Sequence, residues 1–357
     1  VSANAAFDAV ACSGAIVIVA VPATIPLLRR MHAVDVPSVR SSHSVPTPRG
    51  GGLPIAVGLL AAVAITRSGA SAAFAAAVGF FAVLGFLDDL RGLPVFRRLA
   101  LQATGSAVAA GLLIVPLHTA AVAAALLAVA AAAWITGLVN VFNFMDGVNG
   151  ISGVHALIAG VAYACYAEWG GYPFLLAASL AVAVSALLFL PWNVGRARVF
   201  LGDAGSYSLG AALAVLAADA VLRGVPVEAV LGPLALYLAD TTWTLQRRIR
   251  TGERWLQAHR THVYQRWCDA GWSHQEVTLL TGAVTILLTL LGTVSLSRDL
   301  PARAAADLIG IAVLAAYVCS PALFRYLGLY GKPEPYRPGG PAQPGQQSHS
   351  ALPGGSS

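Results

Sequence analysis

Charge is what this chain has least of. Of its 357 residues only 11% are Asp, Glu, Lys or Arg, whereas 57% are hydrophobic and the mean hydropathy is +0.72. Water cannot solvate that much apolar surface, so an ordinary soluble domain is excluded and a polytopic membrane protein is expected. Period-two alternation is missing from the long Ala/Leu/Val runs, which excludes a β-barrel. Cysteine is also sparse. Cys12, Cys165 and Cys319 lie in apolar runs, Cys268 lies in a polar loop, and there is no CxxC pair, so neither a disulfide framework nor a thiolate zinc site is indicated.

What is there is a series of apolar stretches separated by polar or Gly/Pro punctuation. Requiring roughly 17–25 apolar residues per crossing predicts spans near 9–28, 50–66, 70–87, 99–115, 117–139, 151–167, 173–191, 205–222, 226–244, 277–297 and 304–324. The expected fold is an all-α polytopic integral membrane protein of about eleven transmembrane helices, one helical domain over residues 1–330. Arg29-Arg30 follows the first run where a signal peptide would have small residues, so that run is read as a retained helix. Residues 331–357 are rich in Pro, Gly, Gln and Ser and are expected to be a disordered tail.

Orientation follows from the basic residues, since cytoplasmic loops retain Arg and Lys. With alternate loops on one side, 18 of the 22 basic residues fall together. This predicts an outer, periplasmic N-terminus, a cytoplasmic C-terminus and cytoplasmic loops at 29–50, 88–98, 140–150, 192–206 and 245–276. The outer connections, such as Leu222-Arg-Gly-Val-Pro226, are short and chemically plain.

Five polar clusters share the basic side. The first, Arg40 to Gly52, contains His43 and Arg49 and ends in three glycines that would let backbone approach an anion at a helix start. The second is Asp88-Asp89 with Arg97-Arg98. Adjacent helical carboxylates point about 100° apart and oppose the macrodipole at a helix C-terminus. One is expected to hold a divalent cation and the other to act as a base, with Arg98 on a phosphate. The third holds Asn140, Asn143 and Asp146 at i, i+3 and i+6, on one face if helical, with oxygens that suit Mg²⁺ or the edges of a base or sugar. In the fourth, Phe200-Leu-Gly-Asp203-Ala-Gly-Ser206 offers a ring for stacking on a base, an acidic ligand and a Gly/Ser turn. The last is a basic loop with His259, Arg260 and His262, whose two histidines lack a third zinc ligand and better suit hydrogen bonding to phosphate or sugar. Together these residues describe Mg²⁺-assisted chemistry on a phosphate, joining a soluble phosphate donor to a lipid acceptor at the cytoplasmic face.

At this point the motifs resemble the polyprenyl-phosphate N-acetylhexosamine-1-phosphate transferase superfamily (the MraY/WecA type, glycosyltransferase family 4). The resemblance rests on five motifs in order: His43…Pro46-Thr-Pro-Arg-Gly-Gly-Gly52, Gly85-Phe-Leu-Asp88-Asp89, Asn140-x-x-Asn143-x-x-Asp146-Gly-x-Asn149-Gly150, Phe200-Leu-Gly-Asp203-x-Gly-Ser206 and the histidine loop. It implies transfer of a sugar 1-phosphate from a UDP-linked N-acetylated sugar to undecaprenyl phosphate, with release of UMP, in the bacterial inner membrane. Asp88, Asp89 and Asp203 would be catalytic. Asp203 would be the main Mg²⁺ ligand, with Asn143 and Asp88 beside it and Mn²⁺ as an alternative ion. His43, Arg49, Arg98, Asn140, Asn143, Asp146, Phe200, His259, Arg260 and His262 would contact substrate. The implied partners are undecaprenyl phosphate, the UDP-sugar, the bilayer and a second copy of the chain, with no nucleic acid.

The chain departs from that pattern where Asn149 replaces an Asp common in the family and where Tyr264 and Gln265 replace histidines. The resemblance therefore points away from a muramoyl-pentapeptide substrate and towards the WecA/WbpL branch that initiates O-antigen of lipopolysaccharide. Donors there include 6-deoxy sugars such as N-acetylfucosamine or N-acetylquinovosamine, and UDP-GlcNAc stays open. An ion-coupled secondary transporter is the competing class, since intramembrane Asp and Asn in Gly-broken helices also describe carriers.

Overall fold

A backbone crossing lipid must satisfy its own N–H and C=O groups, and this chain does so with helices. The computed structural model describes residues 3–37, 45–66, 69–253, 260–297 and 299–328. The elements are α1 (Ala3–Arg30), β1 (Val34–Asp35), β2 (Thr47–Pro48), α2 (Leu53–Thr66), α3 (Gly69–Arg91), α4 (Val95–Ile114), α5 (Ala121–Met145), α6 (Ile151–Gly170), α7 (Pro173–Asn193), α8 (Gly202–Leu222), α9 (Val227–Leu231), α10 (Ala235–Arg250), α11 (Val263–Asp269), α12 (His274–Thr293) and α13 (Leu300–Tyr326). The protein is thus an all-α polytopic membrane protein. Among the described residues nine helices, α1, α3 to α8, α12 and α13, are long and apolar enough to cross a bilayer. The other two expected segments take different forms. Residues 50–66 yield the 14-residue α2, and 226–244 yield α9 and α10 broken by a 3-10 turn at Gly232–Leu234. Pro233 in that turn has no N–H for a continuous α-helix, which accounts for the break.

At the centre lies α8. Every residue from Ala204 to Ala217 is buried, enclosed by α3, α5, α6, α7 and α2. Small residues allow this approach, because lipid offers no hydrophobic drive between helices and close packing must supply it. A Cβ on Gly85 of α3 would stand 2.2 Å from the Asp203 carbonyl oxygen, and one on Gly210 would stand 3.0 Å from Val139 Cα of α5. Polar ties cross the interior as well, among them Ser13 Oγ to Ser185 Oγ at 2.6 Å and the Tyr163 hydroxyl to the Val230 carbonyl at 2.9 Å. On the periphery, Val122, Leu126 and Val129 of α5 and Leu308, Ile309 and Ile311 of α13 are exposed, as lipid-facing positions should be.

One end of the bundle is stitched together by its connections. The α1–α2 connection pairs β1 with β2 antiparallel, Val34 opposite Pro48 and Asp35 opposite Thr47. It then runs beside the α7–α8 connection: Phe200 N donates to Pro48 O, Gly51 N to Phe200 O and Gly52 N to Leu201 O. The glycines at 50–52, read above as a cradle for a ligand, are instead filled by the chain itself. A Cβ on Gly52 would stand 2.1 Å from Gly205 Cα and one on Gly51 2.6 Å from a Val199 methyl group. Gly50 also has φ +100°, a left-handed conformation that glycine adopts without strain.

Candidate active site

The two aspartates ending α3 have separate partners, as their angular offset on a helix requires. Asp89 reaches across to the start of α8, where its Oδ1 accepts from Asp203 N at 3.0 Å and its Oδ2 from Ala204 N at 3.1 Å. A carboxylate that opposes the dipole of its own helix thus sits at the positive end of another and satisfies two of its orphan N–H groups. Arg49 completes the joint, donating to the Asp89 carbonyl and lying 3.7 Å from its carboxylate. Asp88 turns the other way. Its Oδ1 accepts from Leu93 N at 2.7 Å, closing the α3–α4 turn, and its Oδ2 accepts from the Tyr207 hydroxyl at 2.7 Å, with Arg98 at 3.5 Å.

Asn143, in the last turn of α5, donates to Asp203 Oδ1 at 2.8 Å and to Ser206 Oγ at 3.0 Å. Asp203 keeps Oδ2 without a hydrogen bond among the described residues. Asn140 does not share this direction: its amide donates to Gln102 Oε1 of α4 at 2.7 Å and to Thr136 O at 2.8 Å. Three residues along an α-helix leave about 60° between side chains, enough for neighbours on different helices. Asp146 follows as the residue ending α5. Burial pushes its carboxyl up to about 8, with the negative charges of Asp203 and Asp89 adding to the shift.

The remaining candidates divide. Asn149 and Phe200 build the scaffold. Asn149 Nδ2 donates to Gly195 O at 2.7 Å and its carbonyl accepts from Thr278 at 2.9 Å, while Asn193 ties Gly150 N to Val199 O. Phe200 is half-buried and its backbone joins the α1–α2 connection. Arg260 pairs with Asp269 at 3.2 Å. His262, at the start of α11, has its ring 6.2 Å from that of Phe144 in the last turn of α5. Tyr264 holds it there by donating from its hydroxyl to Phe144 O at 2.9 Å. His43 and His259 lie outside the described residues.

Asp88, Asp89, Asp203, Asn143, Arg49 and Arg98 therefore form one connected network, with Asp146 as its electrostatic neighbour and His262 against the same turn of α5. Sequence reasoning missed Tyr207, which secures Asp88, and Asp240, on which His262 hangs. Asp240 did leave a signal, since a carboxylate inside an apolar run is expensive and normally has a function.

Among the described residues no three His, Cys, Asp or Glu side chains form a ready-made metal cage. Mg²⁺ does not require one: it is commonly held by one or two carboxylates together with substrate phosphates and water. Asp203, with one uncommitted oxygen beside the Asn143 carboxamide, fits that mode. Asp88 could join only by giving up a bond to Leu93, Tyr207 or Arg98.

Comparison with known proteins follows the same geometry. Residues 71–221 match the family model described as Glycosyl transferase family 4. That stretch runs from α3 through α8 and holds the two aspartate motifs and the Asn143 turn. Among curated proteins, the chain is 28% identical over 124 residues to the probable undecaprenyl-phosphate N-acetylglucosaminyl 1-phosphate transferase of Bacillus subtilis, covering 34% of this chain and 35% of that one. It is 33% identical over 135 residues to the phospho-N-acetylmuramoyl-pentapeptide-transferase of Alkaliphilus oremlandii (36% and 38%). It is 34% identical over 116 residues to the decaprenyl-phosphate N-acetylglucosaminephosphotransferase of Mycobacterium leprae (29% of each). The aligned parts span about a third of the length of these relatives. The resemblance to the polyprenyl-phosphate hexosamine-1-phosphate transferase superfamily is thereby shown, without selecting a branch within it.

Proposed function

We propose that this protein transfers the sugar 1-phosphate of a UDP-linked N-acetylhexosamine to a polyprenyl phosphate, undecaprenyl phosphate in the first instance, with release of UMP. The observation that carries the reading is the joint between α3 and α8. By capping α8, Asp89 fixes Asp203 beside Asn143 and within the field of Arg49 and Arg98. This brings an uncommitted acidic oxygen and two guanidinium groups to one end of a membrane-spanning bundle, which two phosphate-bearing substrates require.

In this reading Asp203 would hold Mg²⁺, with Asn143 orienting its carboxylate. The ion, when bound, supplies neutralisation of the diphosphate and of the departing UMP. Arg98 and Arg49 bind phosphate oxygens, and Asp88 holds Arg98 in place. Asp89 acts through the start of α8, so its loss disturbs Asp203. Asp146, with its raised carboxyl, holds its proton near neutral pH in the ligand-free protein and can offer it as a hydrogen-bond donor at the end of α5. The site faces the cytoplasm of the bacterial inner membrane, a reading supported by the basic loops at that end.

A further part of the reading is the donor. Tyr264 and Gln265, where family members carry histidines, are spent on Phe144 O and His262 N. This supports an N-acetylhexosamine or its 6-deoxy form over a muramoyl pentapeptide, and a role in initiating O-antigen or another surface polysaccharide. The test is UMP release by purified protein given undecaprenyl phosphate, Mg²⁺ and a panel of UDP-sugars. Turnover with one donor, lost on adding EDTA and restored by Mg²⁺, is expected. No UMP from any donor would reject the reading, and ion-coupled uptake of a sugar nucleotide by proteoliposomes would replace it with a carrier.

A further inference from the structure

Where α4 meets α5, a short series of polar pairs crosses the interface. Thr136 Oγ1 donates to Ser106 Oγ at 2.8 Å. One turn nearer the site, Asn140 Nδ2 donates to Thr136 O at 2.8 Å and to Gln102 Oε1 at 2.7 Å. A backbone carbonyl can only accept, so the Asn140 atom between these two contacts is its nitrogen, and the Gln102 atom it meets is the oxygen. The Gln102 amide is thereby oriented and its Nε2 is left over. Gln102 is 0% exposed, and Nε2 has no acceptor among the described residues.

A second such donor lies one turn away. Arg98 turns a terminal nitrogen to Asp88 at 3.5 Å, while its Nε is buried and has no acceptor among the described residues. Residues four apart share a helix face, and side chains lean towards the helix N-terminus, which carries the Gln102 amide towards the turn of Arg98. Buried donors left unpaired are costly, and a pair of them one turn apart calls for a group that only accepts. Phosphate is such a group, and the charge of Arg98 favours it over a neutral carbonyl.

The surroundings indicate where that phosphate comes from. Helix α4 packs on α3 and α5 and leaves Phe96, Leu101, Val108 and Leu112 exposed, as on a helix that faces lipid. A phosphate carried on a lipid chain reaches α4 from the bilayer, whereas a nucleotide arrives through the connecting loops. We propose that Gln102 is a substrate-binding residue whose Nε2 joins Arg98 Nε on an oxygen of the polyprenyl phosphate, with Asn140 as the positioning residue that turns the amide. The proposal rests on the transferase reading for the identity of its ligand, so binding is measured apart from turnover.

The first measurement is binding of undecaprenyl phosphate to the purified protein in detergent by native mass spectrometry, without Mg²⁺ or UDP-sugar, and with undecaprenol as the probe that lacks phosphate. In Gln102→Met, Asn140 keeps Thr136 O as an acceptor and an unpaired buried amide gives way to an apolar chain, so melting should hold or rise. Affinity for undecaprenyl phosphate should fall about 10- to 100-fold, and affinity for undecaprenol should change less than about threefold. Gln102→Glu keeps an oxygen for Asn140 and sets a charge against the phosphate; its loss should be larger, and it decides the matter should Gln102→Met not fold. Unchanged affinity for the phosphate in these variants would leave Nε2 to an internal water and overturn the proposal. Asn140→Leu releases the amide and should weaken phosphate binding, yet add less than about threefold to Gln102→Met, since both act through one nitrogen. Losses that multiply would reject the positioning role.

The second measurement is UMP release. Gln102→Met should raise the KM for undecaprenyl phosphate about tenfold or more and leave that for the UDP-sugar within about threefold. The reverse split would assign the two donors to the nucleotide diphosphate and overturn the choice of ligand. Absence of UMP release by the unmutated protein would reject the transferase reading, and the binding series would then judge Gln102 alone.

Discussion

The two ends of the bundle carry acidic residues of opposite kinds. At the end where α8 finishes and α9 begins, each buried or half-buried acid has its own arginine. Asp219 pairs with Arg223 at 2.7 Å and Glu228 with Arg303 at 2.8 Å, and Arg223 also lies over the Tyr172 ring at 5.3 Å. At the other end Asp88, Asp89 and Asp203 share Arg49 and Arg98, whose contacts with Asp89 and Asp88 are looser, at 3.7 and 3.5 Å, and Asp146 adds a fourth carboxyl beside Asp203 and Asp89. There the strongest partners of Asp88 and Asp89 are backbone N–H groups and a tyrosine. Ion pairs that satisfy themselves tie helices together. Carboxylates held by neutral donors and crowded by one another keep charge in reserve for a ligand.

Several perturbations would break or sharpen this contrast. The largest is expected from Gly85→Ala, which drives a methyl group into the Asp203 carbonyl at 2.2 Å, where backbone faces backbone. Overpacking of this kind costs about 1–3 kcal/mol or more. The variant should melt well below the parent and lose activity, whereas normal melting would mean that α3 and α8 need not touch. Next is Asn149→Asp, which turns a donor towards the Gly195 carbonyl into an acceptor. Leaving that carbonyl unpaired costs about 1–3 kcal/mol, so the variant should lose stability and about tenfold in kcat/KM. Gain of activity, on restoring the acid common in the family, would instead return Asn149 to the substrate side.

A smaller effect follows from Asp146. Its folded value of about 8 lies above the ordinary carboxyl value of 3.8, so its contribution to the stability of the ligand-free protein is full below the lower value and has been lost once pH passes the upper one. Thermal melts without Mg²⁺ should fall progressively from about pH 4 to about pH 8 and level off above that, and Asp146→Asn should flatten the slope. An unchanged slope would remove Asp146 as its source. The smallest effect belongs to the opposite end. Glu228 and Arg303 are both about one-third exposed, and exposed pairs contribute about 0–1 kcal/mol. Glu228→Gln should leave kcat within about twofold and shift melting only slightly. A large loss of activity would erase the distinction between the ends.

Much of this organisation was legible in the sequence because it depends on local pattern. Apolar run length places α1 to α8, α12 and α13, and the density of Asp, Asn and Gly marks the end that carries chemistry. The assignment of each side chain was not legible, because partners are chosen across the bundle. Asn140 and Asn143 look equivalent at i and i+3, yet one meets Gln102 of α4 and the other Asp203 of α8. The three glycines after Arg49 read as room for a ligand and are occupied by Val199, Phe200 and Gly205. Asp240 sits 22 residues from His262 without a motif joining them, and only the return of α11 against α10 brings them to 2.9 Å.

The central claim is that Asp203, uncommitted at one oxygen and framed by Asn143, Arg49 and Arg98, is where a polyprenyl phosphate and a nucleotide sugar meet. The direct measurement is UMP release from UDP-sugar and undecaprenyl phosphate by the parent protein and by Asp203→Asn, which preserves shape and an oxygen acceptor for Asn143 while removing the charge. The parent should turn over, and the variant should lose about 1,000-fold or more in kcat with its melting temperature retained. Parental turnover in Asp203→Asn would contradict the account.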